Sequence, residues 1–278
     1  MKKKILILAG GFSREREISL KTAKGVFNQI KRKYYVKICE PNGDLIKNLR
    51  SFKPDVVFNA LHGRYGEDGY VQSILESEKI KYTHSGVLSS SIAIDKEISK
   101  NIFIEKNILT PKYFKFKFNK FKNKSELKKK IKSKLSFPVV IKPFNEGSSV
   151  EVYICSEKNL FKNLSKLSSY KEIMIEKYIP GREIQVAIMG KRKLGAIELV
   201  PKRKFYDYEA KYNVKSKTQH IIPVKINRNK MNEVLNIALK AHKIVGCKGV
   251  TRSDFKFYKN KFYLLEINTQ PGMTSLSL

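Results

Sequence analysis

From Lys4 to about Ser91 short apolar runs alternate with helical stretches. The runs Ile5–Leu8, Tyr35–Ile38 and Val56–Phe58 are brief and strand-like, and Val71–Leu75 is a further apolar run. Between the first two, Ile18 to Ile30 carries Ala23, Phe27 and Ile30 at spacings of four and three, one face of a helix. Strands alternating with helices predict parallel βαβ units in an open α/β sheet. From Ile92 to Pro180 the order changes to helix (95–106), strand (113–118), lysine-rich helix (125–135), two strands (139–142 and 150–155), a further helix and a strand at 173–177. That is an α+β lobe. From Gly181 onward come antiparallel-looking strands, one amphipathic helix (230–245) and a final hairpin, a second such lobe. The expected division is 1–93, 94–180 and 181–278.

Composition narrows the class. With 278 residues, 41% hydrophobic and 11% aromatic, the chain can bury several cores and is not intrinsically disordered. No apolar stretch reaches the length of a membrane span, and the run after MKKK stops at Gly10-Gly11, too soon for a signal peptide. Three scattered cysteines argue against a disulfide framework and fit a reducing cytoplasm. The net charge of +32 raises the question of nucleic acid. Lysine supplies 47 of the 57 basic residues, spread along the whole chain with no recognisable binding motif, so no specific nucleic-acid partner is expected.

The sharpest chemistry lies in the last hairpin. A turn centred on Asn260 sets Asp254 opposite Glu266 and Arg252 opposite Asn268, all four on one face. Ser253, Phe255, Phe257, Tyr263, Leu265 and Ile267 take the other, largely apolar face. Two carboxylates and a carboxamide oxygen held together suit Mg²⁺; the alternative is a solvated face with a cross-strand ion pair. Gly272, after Pro271, would offer backbone N–H groups beside that cluster to an oxyanion.

A second constellation, VVIKPFNEGSSV, brings Lys142 to a strand end before a loop of Glu146, Gly147, Ser148 and Ser149. A lysine with hydroxyl and N–H donors on a glycine loop suits a polyphosphate, though an ordinary turn has the same look. Lys96, opening a helix, is a possible second cation or simply a solvated lysine. The glycine loop after Val56–Phe58 carries His62, at the strand end where ligands of open α/β sheets sit. His62 could orient a carboxylate or be merely packed. Glu15 and Glu17 follow Gly10-Gly11 near a helix start, where capping alone would explain them. Residues 202–218 read as a long loop between strands, with Lys211 and Tyr212 its inward-facing pair.

Taken together these segments resemble the D-alanine–D-alanine ligases, an ATP-grasp family of carboxylate–amine ligases. Eight collinear motifs carry the resemblance: GGFSREREISL, LHGRYGEDGYVQ, DKEISK with a following TP, IKPFNEGSSV, IEKYIPGRE, YDYEAKY, GVTRSDF and LEINTQPGMTSLSL. It implies an ATP-grasp architecture, an N-terminal open parallel sheet followed by two α+β lobes clasping ATP. It implies that Lys96 and Lys142 hold ATP phosphates, with Glu146 and the Gly147-Ser148-Ser149 loop over them. Glu176, Lys177, Tyr178 and Ile179 would surround the adenine, Glu183 would meet the ribose, and Asp254, Glu266 and Asn268 would bind two Mg²⁺, with Mn²⁺ as a substitute. Glu15 would receive the ammonium of the first D-alanine with His62 nearby, and Ser148, Tyr212 and Glu15 would form a hydrogen-bonded triad. Arg252 and the Gly272 N–H would stabilise the tetrahedral step, and Lys211, Ser277 and Leu278 would contact substrate under a lid at 205–217. The product would be D-alanyl-D-alanine for peptidoglycan, made through an acyl phosphate by a cytoplasmic homodimer.

Two departures stand out. Glu151 occupies a position where the family usually has glycine, and the family continues past Ser277-Leu278 with a terminal helix. The alternatives are a sister ligase making D-alanyl-D-lactate or D-alanyl-D-serine, and a non-catalytic nucleotide- or RNA-binding relic.

Overall fold

The computed structural model describes residues 2–120, 123–147, 151–200 and 218–274, which build three sheets. The first joins β1 (Lys4–Leu8), β2 (Tyr35–Cys39) and β3 (Val56–Asn59) in the order β2-β1-β3, all parallel. Helix α1 (Arg16–Ile30) connects β1 to β2, and α2 (Leu45–Phe52) connects β2 to β3. Leu6 and Leu8 pack with Leu49 of α2 and with Val71 and Leu75 of α3 (Tyr70–Ser77). Ile7, on the opposite face, packs with Ala23, Phe27 and Ile30 of α1. With helices on both faces, the central strand has no polar side to show, which explains its unbroken apolar run.

The second sheet is antiparallel, ordered β4-β7-β5-β6 from β4 (Tyr113–Lys117), β5 (Val139–Lys142), β6 (Tyr153–Cys155) and β7 (Glu172–Lys177). Leu127 and Ile131 of α6 (Lys124–Lys134) and Leu164 of α7 (Leu160–Lys166) cover Ile141, Ile173 and Ile175. Strand β6 starts at Tyr153, later than the sequence pattern suggests. Glu151 has φ 55°, a left-handed backbone that no strand accommodates.

The third sheet is antiparallel, ordered β10-β9-β8-β11-β12 from β8 (Arg182–Met189), β9 (Arg192–Val200), β10 (Gln219–Ile221), β11 (Val250–Tyr258) and β12 (Lys261–Asn268). Helix α8 (Arg228–Ile244) packs on it, capped by the Asn227 side chain, which accepts the Lys230 N–H at 2.9 Å. The same core takes in Ala93 of α4 (Val87–Ile94) and Phe103 of α5 (Lys96–Glu105). The Asp95 carboxylate caps α5 through the Glu97 and Ile98 amides. The Lys96 amide donates to the Phe144 carbonyl at 3.2 Å, so α5 starts against the loop after β5. The lobes are thereby tied at the point where Lys96 and Lys142 emerge.

The last hairpin agrees with the sequence register at its far end and departs from it near the turn. Arg252 pairs with Asn268 and Asp254 with Glu266, as expected. The turn, however, has two residues, Lys259 and Asn260, both left-handed at φ 47° and 60°. Phe257 therefore pairs with Phe262 and Phe255 with Leu264, and a bulge restores the register before Glu266. The apolar face thus holds Phe262 and Leu264, both buried, in place of Tyr263 and Leu265.

Candidate active site

A cleft between the second and third sheets gathers residues from strand ends that are far apart in sequence. Lys96, Lys142, Glu146, Glu176, Lys177, Tyr178, Ile179, Glu183, Asp254 and Glu266 all line it. Pro111, Val140, Val152, Lys256 and Leu265 complete the wall. The bulge explains Leu265: it turns this residue out of the hydrophobic core and into the cleft beside Glu266.

Charge is tightly organised there. Lys142 Nζ donates to Glu176 Oε1 at 3.0 Å, and Lys100 Nζ pairs with Glu176 Oε2 at 2.7 Å. Burial alone would raise the Glu176 pKa; the two ammonium groups outweigh it and hold the carboxyl below its ordinary value. Burial pushes Lys100 down to about 8, partly opposed by Glu176, so it remains a cation at neutral pH. Lys96 Nζ donates to the Glu146 carbonyl at 2.5 Å and lies 3.6 Å from Glu266 Oε2. Glu183 accepts from Lys256 at 2.9 Å, across the β8–β11 register that pairs the two.

The hairpin carboxylate is equally well held. Arg252 donates to both oxygens of Asp254, at 2.7 and 3.0 Å, and Gln185 adds a bond at 3.2 Å. The Asn268 carboxamide oxygen accepts the Gln270 N–H at 2.7 Å and keeps a second lone pair. Among the described residues no group of three or more His, Cys, Asp or Glu side chains is arranged for a metal. The hard oxygen set of Asp254, Glu266 and Asn268, with the two carboxylates on the cleft wall, nevertheless fits Mg²⁺, which keeps open positions for phosphate and water.

Next to the cleft, Glu15 is buried at the start of α1 and makes no side-chain cap. A hydrogen-bonded cap therefore does not account for Glu15, while its place at the helix start keeps the favourable dipole interaction. A methyl group on Gly147 would come within 2.9 Å of Glu15 Oε2, and one on Gly63 within 2.8 Å. Two glycines from different lobes thus make room for one carboxylate. His62 is buried with both ring nitrogens engaged, Nε2 with Thr22 Oγ1 at 3.0 Å and Nδ1 with Glu67 at 3.1 Å. Thr22 Oγ1 also receives the Met273 N–H at 3.4 Å, which holds Gly272 over α1.

Ser148, Ser149, Lys211, Tyr212, Ser277 and Leu278, with the lid segment, lie outside the described residues. Several contributors were not found from sequence. Lys100 recurs four positions after Lys96, which on a helix means the same face, and that was the available signal. Lys256 stands on the strand beside Glu183 and could be found only from the register. Tyr170 donates its hydroxyl to Glu151, and no local pattern marks it. Gln270 joins the Asn59 amide at 2.7 Å and the Leu61 carbonyl, fixing the site segment to the first sheet.

Comparison with known proteins agrees with these observations. The family model described as D-ala D-ala ligase C-terminus matches residues 102–278, and that described as D-ala D-ala ligase N-terminus matches 40–85. A D-alanine–D-alanine ligase of Pelagibacter ubique is 66% identical, covering 100% of this chain and 91% of the relative. One from Wolbachia pipientis wMel is 44% identical over 99% of this chain and 86% of its own length. The crystal structure of D-alanine–D-alanine ligase from Bacillus anthracis superposes with a TM-score of 0.86 at 34% identity, covering 99% and 90% of the two chains. The structure of that enzyme complexed with ATP gives 0.82 at 30% identity, with 99% and 89% covered. The chain belongs to the D-alanine–D-alanine ligase family.

Proposed function

We propose that this chain joins two D-alanines into D-alanyl-D-alanine at the expense of ATP, in the cleft between its second and third sheets. One observation carries the reading: ten residues from separate strands and loops line one cleft, with the Glu15 carboxylate against Gly147 at its edge. A bare carboxylate is a poor electrophile toward an amine, so the carboxylate of the first D-alanine takes the γ-phosphoryl group and becomes an acyl phosphate. The amine of the second attacks that carbonyl, loses a proton, and phosphate leaves. Lys96 and Lys142 bring positive charge to the ATP phosphates. Asp254, Glu266 and Asn268 would hold Mg²⁺, which when bound neutralises charge on the phosphoryl oxygens. Glu15 takes the ammonium of the first D-alanine, and His62, fixed by Thr22 and Glu67, orients the adjoining loop. Arg252 and the Gly272 N–H serve the tetrahedral oxyanion.

The homodimer and the cytoplasmic location implied by the family resemblance belong to this proposal; sedimentation tests the first. No helix among the described residues is long and apolar enough to cross a membrane. The deciding experiment follows phosphate release from MgATP with and without D-alanine and identifies the product by mass. D-alanine-dependent release with stoichiometric dipeptide is expected, with D-lactate and D-serine as competing acceptors. Asp254→Ala should reduce turnover by at least about 100-fold while circular dichroism is unchanged. Normal turnover in that variant would remove the metal assignment.

A further inference from the structure

Lys100 is wholly buried on α5, one turn beyond Lys96, and has no part in the cleft wall as described above. Its ammonium is 2.7 Å from one oxygen of Glu176, while Lys142 is 3.0 Å from the other. Its Nζ also sits 5.6 Å from the centre of the Tyr113 ring, a favourable place for a cation. The three groups therefore alternate in charge, cation, anion, cation, and only Lys142 and Glu176 meet the cleft.

That arrangement solves a specific problem. A Lys142–Glu176 pair alone would present no net charge to a phosphate. Drawing Lys142 toward the ligand would leave a fully buried carboxylate without a counter-ion, which is strongly unfavourable. With Lys100 on the far oxygen, Glu176 stays neutralised whether Lys142 points toward it or away. We propose that Lys100 is a positioning residue for nucleotide binding, holding Glu176 from behind so that Lys142 can exchange its carboxylate partner for an ATP phosphate. The inference rests on the reading of the cleft as the ATP site, and its test separates the two.

The full-length chain is assayed with ATP and D-alanine varied independently. Lys142→Met tests the reading of the cleft: a rise of about tenfold or more in KM for ATP is expected, and no rise would overturn it. Lys100→Met should raise KM for ATP by about tenfold while KM for D-alanine stays within about twofold. In Lys100→Met/Glu176→Gln the buried anion is gone together with its rear counter-ion, and Lys142 again carries an unopposed charge. Its KM for ATP should match that of Glu176→Gln alone within about twofold, a loss of the Lys100 effect that a packing defect would not give. A normal ATP dependence in Lys100→Met beside a defective Lys142→Met would overturn the role of Lys100 alone. If Lys100→Met does not fold, Glu176→Gln with and without Lys100→Met decides. The two should share one KM for ATP, because position 100 has no anion left to hold, and a tenfold difference would overturn the proposal.

Discussion

At the scale of single residues, Glu15 depends on what its neighbours lack. Gly63 sits at φ 67° with Glu15 Oε2 2.8 Å from where a β-carbon would stand, so Gly63→Ala would both strain the backbone and press a methyl group on the carboxylate. KM for D-alanine should rise by about tenfold with KM for ATP little changed, as steady-state kinetics in each substrate would read. A second residue-scale effect belongs to His84, buried beside Phe58 at φ 73°. Burial, with a smaller push from His62, lowers its pKa to about 4. The folded chain keeps it neutral where the unfolded chain takes a proton, so stability falls as pH drops from about 6.5 through 4. Between pH 7 and 5 this group costs about 2 kcal/mol, and His84→Asn, tolerated in that backbone region, should remove the loss in urea unfolding. Lys96 and Lys142 were legible in sequence because each stands at an element end beside a glycine loop or cap. Lys100 was not, since a lysine within a helix ordinarily reaches water and burial is the exception.

At the scale of elements, the hairpin separates what alternation fixes from what a turn fixes. Alternation puts Asp254 and Glu266 on one face; their direct pairing was expected from a turn centred on Asn260, and the structure keeps it because the bulge restores that register. The turn length decides the rungs beyond, and a two-residue turn with a compensating bulge cannot be told by alternation from a turn centred on one residue. Lys259 is an ill-suited occupant of a left-handed first turn position, where asparagine is favoured. Lys259→Asn should add about 0.5–1 kcal/mol and raise the melting temperature by about 1–4 °C in a thermal scan. Helices α2 and α4 escaped sequence reading for a related reason. The first is only eight residues long, and the second, with three consecutive serines and the rest apolar, has no clear amphipathic period. Burial of Ser89 with its hydroxyl on the Gly246 carbonyl, a contact made by tertiary packing, completes the second.

At the scale of the whole molecule, the three sheets are joined by a few long-range contacts that no sequence pattern announces. From just past the end of β12, Gln270 bonds Asn59 of β3 and Leu61 in the loop after it, and Asn268, whose side chain accepts the Gln270 N–H, belongs to the candidate metal set. Gln270→Leu leaves the buried Leu61 carbonyl without that donor and should cost about 2–3 kcal/mol in chemical denaturation. If stability is unchanged, the first sheet is held in place by other contacts. The parallel sheet and the antiparallel lobes were readable from alternation and order, but which helix packs under which sheet was not. Helix α5 follows the first sheet and precedes the second, yet Phe103 completes the core of the third with Ile184, Phe255 and Leu264. On a ribosome adding roughly 5–20 residues per second, that helix is made roughly ten to thirty seconds before β12 emerges to cover it. During this interval its apolar face is open to chaperones and to neighbouring nascent chains. Slower translation across residues 106–268 should therefore lower the yield of soluble protein while leaving the stability of the finished fold unchanged.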